Sequence, residues 1–326
     1  MSFKTGILKI LVIRLSSIGD VVLTLPVVGW LKSHADVEVH LLTKRITADL
    51  LSDVREIDAF HVFDNSVATT VEELKKENFD AVLDLHNNRR SRRVRMALGV
   101  RSFVYRKENL HKMLYVLTKH DFMSGRHVVD RYMVPAQRLM QSEDCNPAAA
   151  VEWCVPETDL CPKERYAVIA CGAQHATKRI PPAKIAELAA GIHGNVVLVG
   201  DAADAERIGE SVAGLGSRVI NLCGKTTLKQ SASVVKDAKV VVSSDSAIMH
   251  IAAAMHRPVV AVWGSTTPRF GFYAYGTEHF DFEVQNVRCR PCGRMGSEHC
   301  RKGHFDCMMR QNWDAITQKV NELMDR

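Results

Sequence analysis

The sequence predicts an α/β protein of two doubly wound domains facing each other across a cleft. Three observations carry that expectation. Short continuous apolar runs, the mark of strands buried on both faces of a parallel sheet, alternate with helical periodicity along the chain. The alternation lapses once, between Cys145 and Pro162, and then restarts. Aromatic residues are only 6% of 326 while Ala, Val, Leu and Ile dominate, which favours parallel strands under covering helices over an aromatic-rich all-β fold. The length suits about two domains.

The first array opens with KILVIRL, residues 9–15, a short apolar run expected as a central strand. A helical stretch runs from Asp20 to Ser33, with Pro26 kinking it or marking its true first turn. VEVHLLT (37–43) is the second strand, 46–52 a short helix and AFHVFD (59–64) the third strand. VEELKKENF is helical, DAVLDLH (80–86) is the fourth strand, and a helical region lies near 127–141. Pro147, Pro156 and Pro162, with few periodic residues between them, read as a linker. The second array alternates strands at 166–172, 195–200, 217–224, 239–245 and 258–264 with helices at 182–192, 203–215, 228–238 and 247–255. A loop-rich, cysteine-bearing stretch and a helix from Asn312 end the chain. The expected domains are 1–155 and 163–311, with 312–326 packing back toward the first.

At 46% apolar and 25% charged residues, whole-chain disorder is excluded. No segment reaches the roughly 18 apolar residues of a membrane span. Ile7–Ile13 is short, interrupted by Lys9 and followed by no small-residue cleavage site, so a strand in a cytoplasmic protein is expected rather than a signal peptide. Forty-three basic against 37 acidic residues leave +6, which suits an anionic substrate or membrane surface without requiring nucleic acid. The excess is local. From His86 to Lys112 there are nine Lys or Arg and one acid, Glu108.

Ligands of doubly wound domains sit at the carboxyl ends of the strands, so the strand-to-helix turns are where chemistry is expected. The turn Arg14-Leu-Ser-Ser-Ile-Gly-Asp20 follows the first strand and opens a helix. Gly19 permits close backbone approach, and Asp20 is either a base facing the cleft or simply an N-cap. The missing GxGxxG disfavours a dinucleotide-dependent dehydrogenase. Later, a strand ends in Ser243-Ser244-Asp245-Ser246 before a helix of small residues that carries His250. Gly264-Ser-Thr-Thr-Pro268 repeats the theme one unit on. Caps, helix N–H groups and the positive dipole there suit a diphosphate, ordinary capping being the plainer alternative. The loop Gly172–Pro181 offers Thr177, Lys178 and Arg179, a phosphate-pairing cation or a solvated pair.

The segments RLSSIGDVVLTLPVVGWLK and VVSSDSAIMHIAAAMHRPVVAVWGSTTP resemble the ADP-heptose:lipopolysaccharide heptosyltransferases, glycosyltransferase family 9, whose fold is GT-B with two Rossmann-like domains. The Lys178 loop and the late C-x-P-C pattern extend the resemblance over nearly the whole chain. It implies an inverting transfer of a heptose from an ADP-sugar to an acidic lipopolysaccharide core, with no required cofactor and peripheral contact at the inner membrane. Asp20 matches the catalytic carboxylate, with Ser17 and Gly19 beside it toward the acceptor. Thr177 and Lys178 match the loop holding the donor phosphates, and Asp204 the residue on the donor ribose. Asp245, Ser246 and His250 match a D-[ST]-G-x-x-H element at the diphosphate, with Gly264 on the next turn. Two positions depart from the pattern: Ala247 stands where Gly is usual, and Asp204 where Glu is usual, with Glu206 as a substitute. A catalytically inactive nucleotide-binding relative of the same fold is the alternative.

The chemistry stands on the residues as well. An inverting transfer needs a base for the acceptor hydroxyl and stabilisation of the leaving ADP. No Asp-x-Asp pair stands at a strand end, so a metal-bridged diphosphate is not expected. Arg89, Arg92 and Arg93 share a helix face and are expected at the acceptor as an anion site, the alternative being a solvated basic helix. No aromatics interleave with them, which argues against nucleic acid. Cys289, Cys292, Cys300 and Cys307 are spaced C-x2-C-x7-C-x6-C. Free thiols are expected there, with structural zinc and a disulfide as alternatives, since only the first pair has usual zinc spacing.

Overall fold

The computed structural model describes residues 7–144 and 151–326. The chain divides into two compact units, Met1–Lys107 with Arg126–Cys154, and Glu108–Gly125 with Val155–Arg326. Part of the expected linker, residues 145–150, lies outside the described residues. Further along it, Trp153 is not linker-like: it bridges to Val54 and is 9% exposed.

The first unit holds a five-stranded parallel sheet of β1 (Leu8–Ile13), β2 (Val37–Thr43), β3 (Ala59–Val62), β4 (Ala81–Asp84) and β5 (Arg101–Val104). The order is β3-β2-β1-β4-β5, with Ile13 opposite both Leu42 and Asp84. The central strands are apolar because both sheet faces are covered. Leu11, Ile13, Leu42 and Val82 pack with Leu74 of α4 (Val67–Lys75) and Val94 of α5 (Arg89–Leu98). The helix expected from Asp20 to Ser33 is two helices, α1 (Ile18–Val22) and α2 (Leu25–His34). Pro26 lies in the first turn of α2, where its missing N–H has no helical partner to lose. Beyond β2, α3 (Arg45–Leu51) leads to β3.

The second unit takes in α6 (Asn109–Thr118) from the middle of the chain, while α7 (Val128–Met140) belongs to the first. Its sheet is β6 (Tyr166–Ala170), β7 (Asn195–Val199), β8 (Val219–Asn221), β9 (Val240–Ser244), β10 (Val259–Trp263) and β11 (His279–Glu283), all parallel, in the order β11-β10-β9-β6-β7-β8. The helices are α8 (Pro182–Gly191), α9 (Ala202–Val212), α10 (Leu228–Lys236), α11 (Ala247–Ala254), α12 (Asp306–Met309) and α13 (Trp313–Met324). The final helix contributes to the core of the second unit. Trp313, Ile316, Val320, Leu323 and Met324 form one apolar stripe buried in the second unit's core. Asn321 then fixes α13 to the end of α8, donating to Gly191 O (3.0 Å) and accepting from His193 N (2.8 Å).

Strand order reverses between β1 and β4 in the first sheet and between β6 and β9 in the second. Crossovers leave in opposite directions at these points and open a crevice at the carboxyl ends, where ligands of such sheets bind.

Candidate functional site

In the first unit, the crevice at β1 and β4 is built around an ion pair. Arg14, just past β1, is 6% exposed and sets Nη2 2.8 Å from Asp20 Oδ1. Its Nη1 donates to Leu85 O at 2.7 Å. Asp20 is not the N-cap but the third residue of α1. Ser17 is the cap, and Asp20 Oδ2 accepts from Ser17 N (3.1 Å) and Ser17 Oγ (2.7 Å) in a capping box. Gly19 is buried and Ser17 exposed beside it. The carboxylate is thus held from two sides while its side chain stays 18% exposed.

Three groups that the sequence reading passed over complete this site. His86, past β4, is held down at about 3 by burial, Arg14 and Lys107, so it is neutral at physiological pH. Partial desolvation and Arg14 lower the Lys107 ammonium. Tyr132 of α7 lies under Arg14, whose guanidinium is 5.7 Å from the ring centre. The concentration of basic groups around one carboxylate suits an anionic ligand. The signal was present: a polar Arg14 directly after an apolar strand, and Lys107 within the basic segment.

Of the arginines on α5, Arg89, Arg90, Arg92 and Arg93 are exposed, and Arg89, Arg92 and Arg93 make no ion pair among the described residues. Arg95 differs, lying 3.3 Å from the fully buried Asp84. Burial pushes the Asp84 carboxyl up, against N–H groups of Asn87 and His86 that donate to it. Asn88 caps α5 and turns its N-terminus at the carboxyl end of β4.

In the second unit, Lys178 and Asp245 meet at the β6/β9 reversal. Nζ stands 2.7 Å from Asp245 Oδ2, which also accepts from Thr266 Oγ1 at 2.8 Å. Burial would push the Asp245 carboxyl up, but Lys178, Thr266 and the nearby His250 hold it below the ordinary value. Ser246 begins α11 with its Oγ 2.9 Å from Ser243 Oγ, leaving the first N–H groups, from Ala247 onward, without a side-chain cap. Asp245, Ser246, Ala247, His250 and Lys178 are therefore brought together around the start of α11, where uncapped N–H groups and a lysine suit an anion.

Thr177 and Asp204 have other engagements. Thr177 Oγ1 donates to Ser297 O (2.9 Å) and accepts from Ser297 N and Ser265 Oγ, so it joins three segments of the second unit. Asp204 is the third residue of α9, in a capping box with Asp201, and pairs with Arg207 at 3.2 Å. It lies where a side chain on Gly172 would fall, since a Cβ there would be 2.1 Å from Asp204 Oδ2. Glu206 is exposed on the same helix. At Gly264 a Cβ would meet Thr177 O and Met308 Cε, each at 2.7 Å. Gly264→Ala is expected to lower stability by about 1–3 kcal/mol through overpacking, read from the urea midpoint.

Two groups bear on metals. Among the described residues His40, His61 and Glu77 lie within 4.8 Å of one another. His40 Nδ1 and His61 Nε2 hydrogen-bond at 2.9 Å, and Lys9 pairs with Glu77 and Glu38, so a cation already neutralises that corner. The four late cysteines line one cavity of about 250 Å³ together with Thr177 and Ser265.

The sequence model of glycosyltransferase family 9 (heptosyltransferase) matches residues 67–300. A lipopolysaccharide heptosyltransferase 2 of Salmonella typhimurium is 40% identical over 100 residues, 28% of this chain and 29% of that relative. With three further heptosyltransferases 2, the aligned stretches span 23–30% of the relatives' length. A lipopolysaccharide heptosyltransferase 3 of Escherichia coli is 26% identical over 286 residues, 76% of this chain and 80% of the relative. The solved structure of the E. coli ADP-heptose lps heptosyltransferase II superposes with a TM-score of 0.74 at 22% identity, covering 97% of this chain and 98% of that one. The fold is accordingly GT-B, with Rossmann-like domains, as the sequence led one to expect.

Proposed function

The chain belongs to glycosyltransferase family 9, the heptosyltransferases, and from that premise we propose that it transfers a heptose from an ADP-sugar to a lipopolysaccharide inner-core acceptor with inversion. Asp20 takes the proton of the acceptor hydroxyl as the oxygen attacks the anomeric carbon. The bond from that carbon to the diphosphate oxygen breaks, and ADP leaves with the electron pair. Lys178 and the N-terminus of α11 offset the charge that develops on the leaving phosphate. The observation that carries this reading is the Asp20 carboxylate, fixed by Arg14 and Ser17 at the strand-order reversal.

The basic groups around Asp20 and the unpaired arginines of α5 suit an acidic acceptor. Membrane contact is supported by α6, where Leu110, Met113 and Leu117 share a face and are 60%, 42% and 70% exposed, with Lys112 and Lys119 on the same segment. Among the described residues no helix is long and apolar enough to cross a membrane.

The test is incubation of the chain with ADP-heptose and a heptose-deficient core lipid, measuring released ADP and the anomeric configuration of the product. Inverted product supports the reading. ADP-sugar binding without turnover would leave the inactive nucleotide-binding alternative. Because Lys178 and the N-terminus of α11 supply the positive charge that this mechanism needs at the leaving phosphate, turnover is expected without added magnesium, and a strict magnesium requirement contradicts the mechanism.

The double variant Arg89→Ala, Arg92→Ala is expected to raise the acceptor KM several-fold and flatten its salt dependence, because exposed charges attract through a screened field. The donor KM should hold, since the donor contacts lie in the second unit. A merely solvated helix predicts no change in either constant.

A further inference from the structure

We propose that Asp84 is a positioning residue of the transfer site: gripped by α5, it fixes the turn at the end of β4 that holds Arg14, and through Arg14 it aims the Asp20 carboxylate. The proposal deepens the heptosyl-transfer reading above and rests on it.

Asp84 is a fully buried acid that the transfer step leaves unused. It is 0% exposed and ends a strand whose other residues, Ala81, Val82 and Leu83, are apolar. Burying a carboxylate is costly unless other groups compensate it, and an apolar side chain would fill the place without that cost. Burial pushes this carboxyl up, while donors from two sides pull it back. One side is the β4–α5 turn. Asp84 Oδ1 accepts from His86 N at 3.0 Å and from Asn87 N at 2.7 Å, and Asn87, at φ 45°, donates Nδ2 to Tyr105 O at 2.8 Å. The other side is α5. Arg95 Nε stands 3.3 Å from Asp84 Oδ2, and the fully buried Ser91 hydroxyl, four residues earlier on the same helix face, meets the same carboxyl.

The turn passes this order on to the base. The carbonyl of Leu85 and the N–H of His86 belong to one planar peptide unit. Asp84 holds that plane by its N–H end, and the carbonyl end accepts from Arg14 Nη1 at 2.7 Å. Arg14 Nη2 in turn stands 2.8 Å from Asp20 Oδ1. The His86 ring meets the Ser16 carbonyl, a second contact from this turn to the segment that carries Asp20. If the peptide plane rotates, the guanidinium loses its seat and the carboxylate turns away from the acceptor hydroxyl. Misplacement of a reacting group by about 1 Å can cost a factor of about 10² in rate. Helix α5 also carries Arg89, Arg92 and Arg93, so the helix expected to meet the acidic acceptor is the one that grips Asp84.

The test is a kinetic cycle on the full chain with ADP-heptose and a heptose-deficient core lipid, read beside amide hydrogen exchange over residues 14–22. Asp84→Asn keeps the size and one oxygen for the two turn amides but loses the charge that Arg95 faces, and Arg95→Gln cuts the pair from the other side. Each should lower kcat by about ten- to a hundredfold with the donor KM unchanged. Each should also speed exchange over 14–22 and leave the second unit as it was. Arg95→Lys, which keeps the positive charge, should recover most of the rate. In an Asp20→Asn background the Asp84 change should cost little more, because no base is left to aim. A merely structural Asp84 predicts equal losses in both backgrounds that track the thermal midpoint, and that result overturns the proposal. Unchanged exchange over 14–22 overturns it too. A wild-type chain that releases no ADP removes the transfer reading instead, and the exchange arm still decides whether Asp84 holds the Asp20 segment. Should Asp84→Asn not fold, Arg95→Gln, altered at a side chain that is 23% exposed, is read in the same arms.

Discussion

Asp20→Asn is expected to reduce turnover by about 10²–10⁴-fold while ADP-sugar binding stays near that of the unaltered chain, the range set by removing a positioned general base. Asparagine is close in size and retains one acceptor, so it can keep a hydrogen bond from Ser17 and with it most of the α1 cap. It cannot take a proton from an acceptor hydroxyl. It also leaves the buried Arg14 without its carboxylate partner, so thermal stability should be measured alongside. A base predicts a kcat loss with the donor KM unchanged and the unfolding transition intact enough to assay. A purely structural Asp20 predicts that loss of activity tracks loss of folded protein. Near wild-type turnover in the folded variant would remove Asp20 from the chemistry.

Lys178→Ala should lower ADP affinity by about ten- to a hundredfold, since a charge-assisted hydrogen bond is worth about 1.5–3 kcal/mol and each 1.4 kcal/mol is a factor of ten. Calorimetry reads this directly, and unchanged affinity would mean that the diphosphate sits elsewhere. The same change alters acid stability with a definite sign. Lys178 helps hold Asp245 below the ordinary carboxylate value. A carboxylate depressed in this way contributes stability that is full above its unfolded value and lost as pH falls through the folded value. Without Lys178 that contribution shrinks. The variant should unfold more easily at neutral pH, and the difference from the unaltered chain should narrow toward acid, where Asp245 is protonated in both. An equal gap at all pH values would show that the pair contributes nothing through charge.

Much of this was legible in the linear pattern. Central parallel strands such as 196–199 and 259–263 announce themselves as unbroken apolar runs, because both sheet faces are covered and no alternation survives. Edge strands do not. In β5, Arg101-Ser-Phe-Val is partly exposed and reads as a continuation of the basic segment. In β11, His279-Phe-Asp-Phe-Glu alternates weakly, its Asp281 receiving Trp263 Nε1 and its Glu283 Arg290. Helix α6 was missed because no residue on it is buried.

The turns at Asp20, Lys178 and Asp245 could be picked out because strand ends, small residues and charges coincide in sequence. Their meaning could not. Only tertiary structure set Lys178 beside Asp245, 67 positions away, or gathered His86 and Lys107 around the Arg14–Asp20 pair. Only it engaged Thr177 with Ser297 and Asp204 with its own helix. The sequence by itself determined the two βα arrays, the family and the residue types at each strand end, because periodicity, burial and capping are local properties of neighbouring residues. Which of those polar groups face a ligand, and which satisfy one another, was decided by strand order and by the packing of α13 and the cysteine-bearing loop. Those contacts join residues far apart in the chain, and no local pattern encodes them.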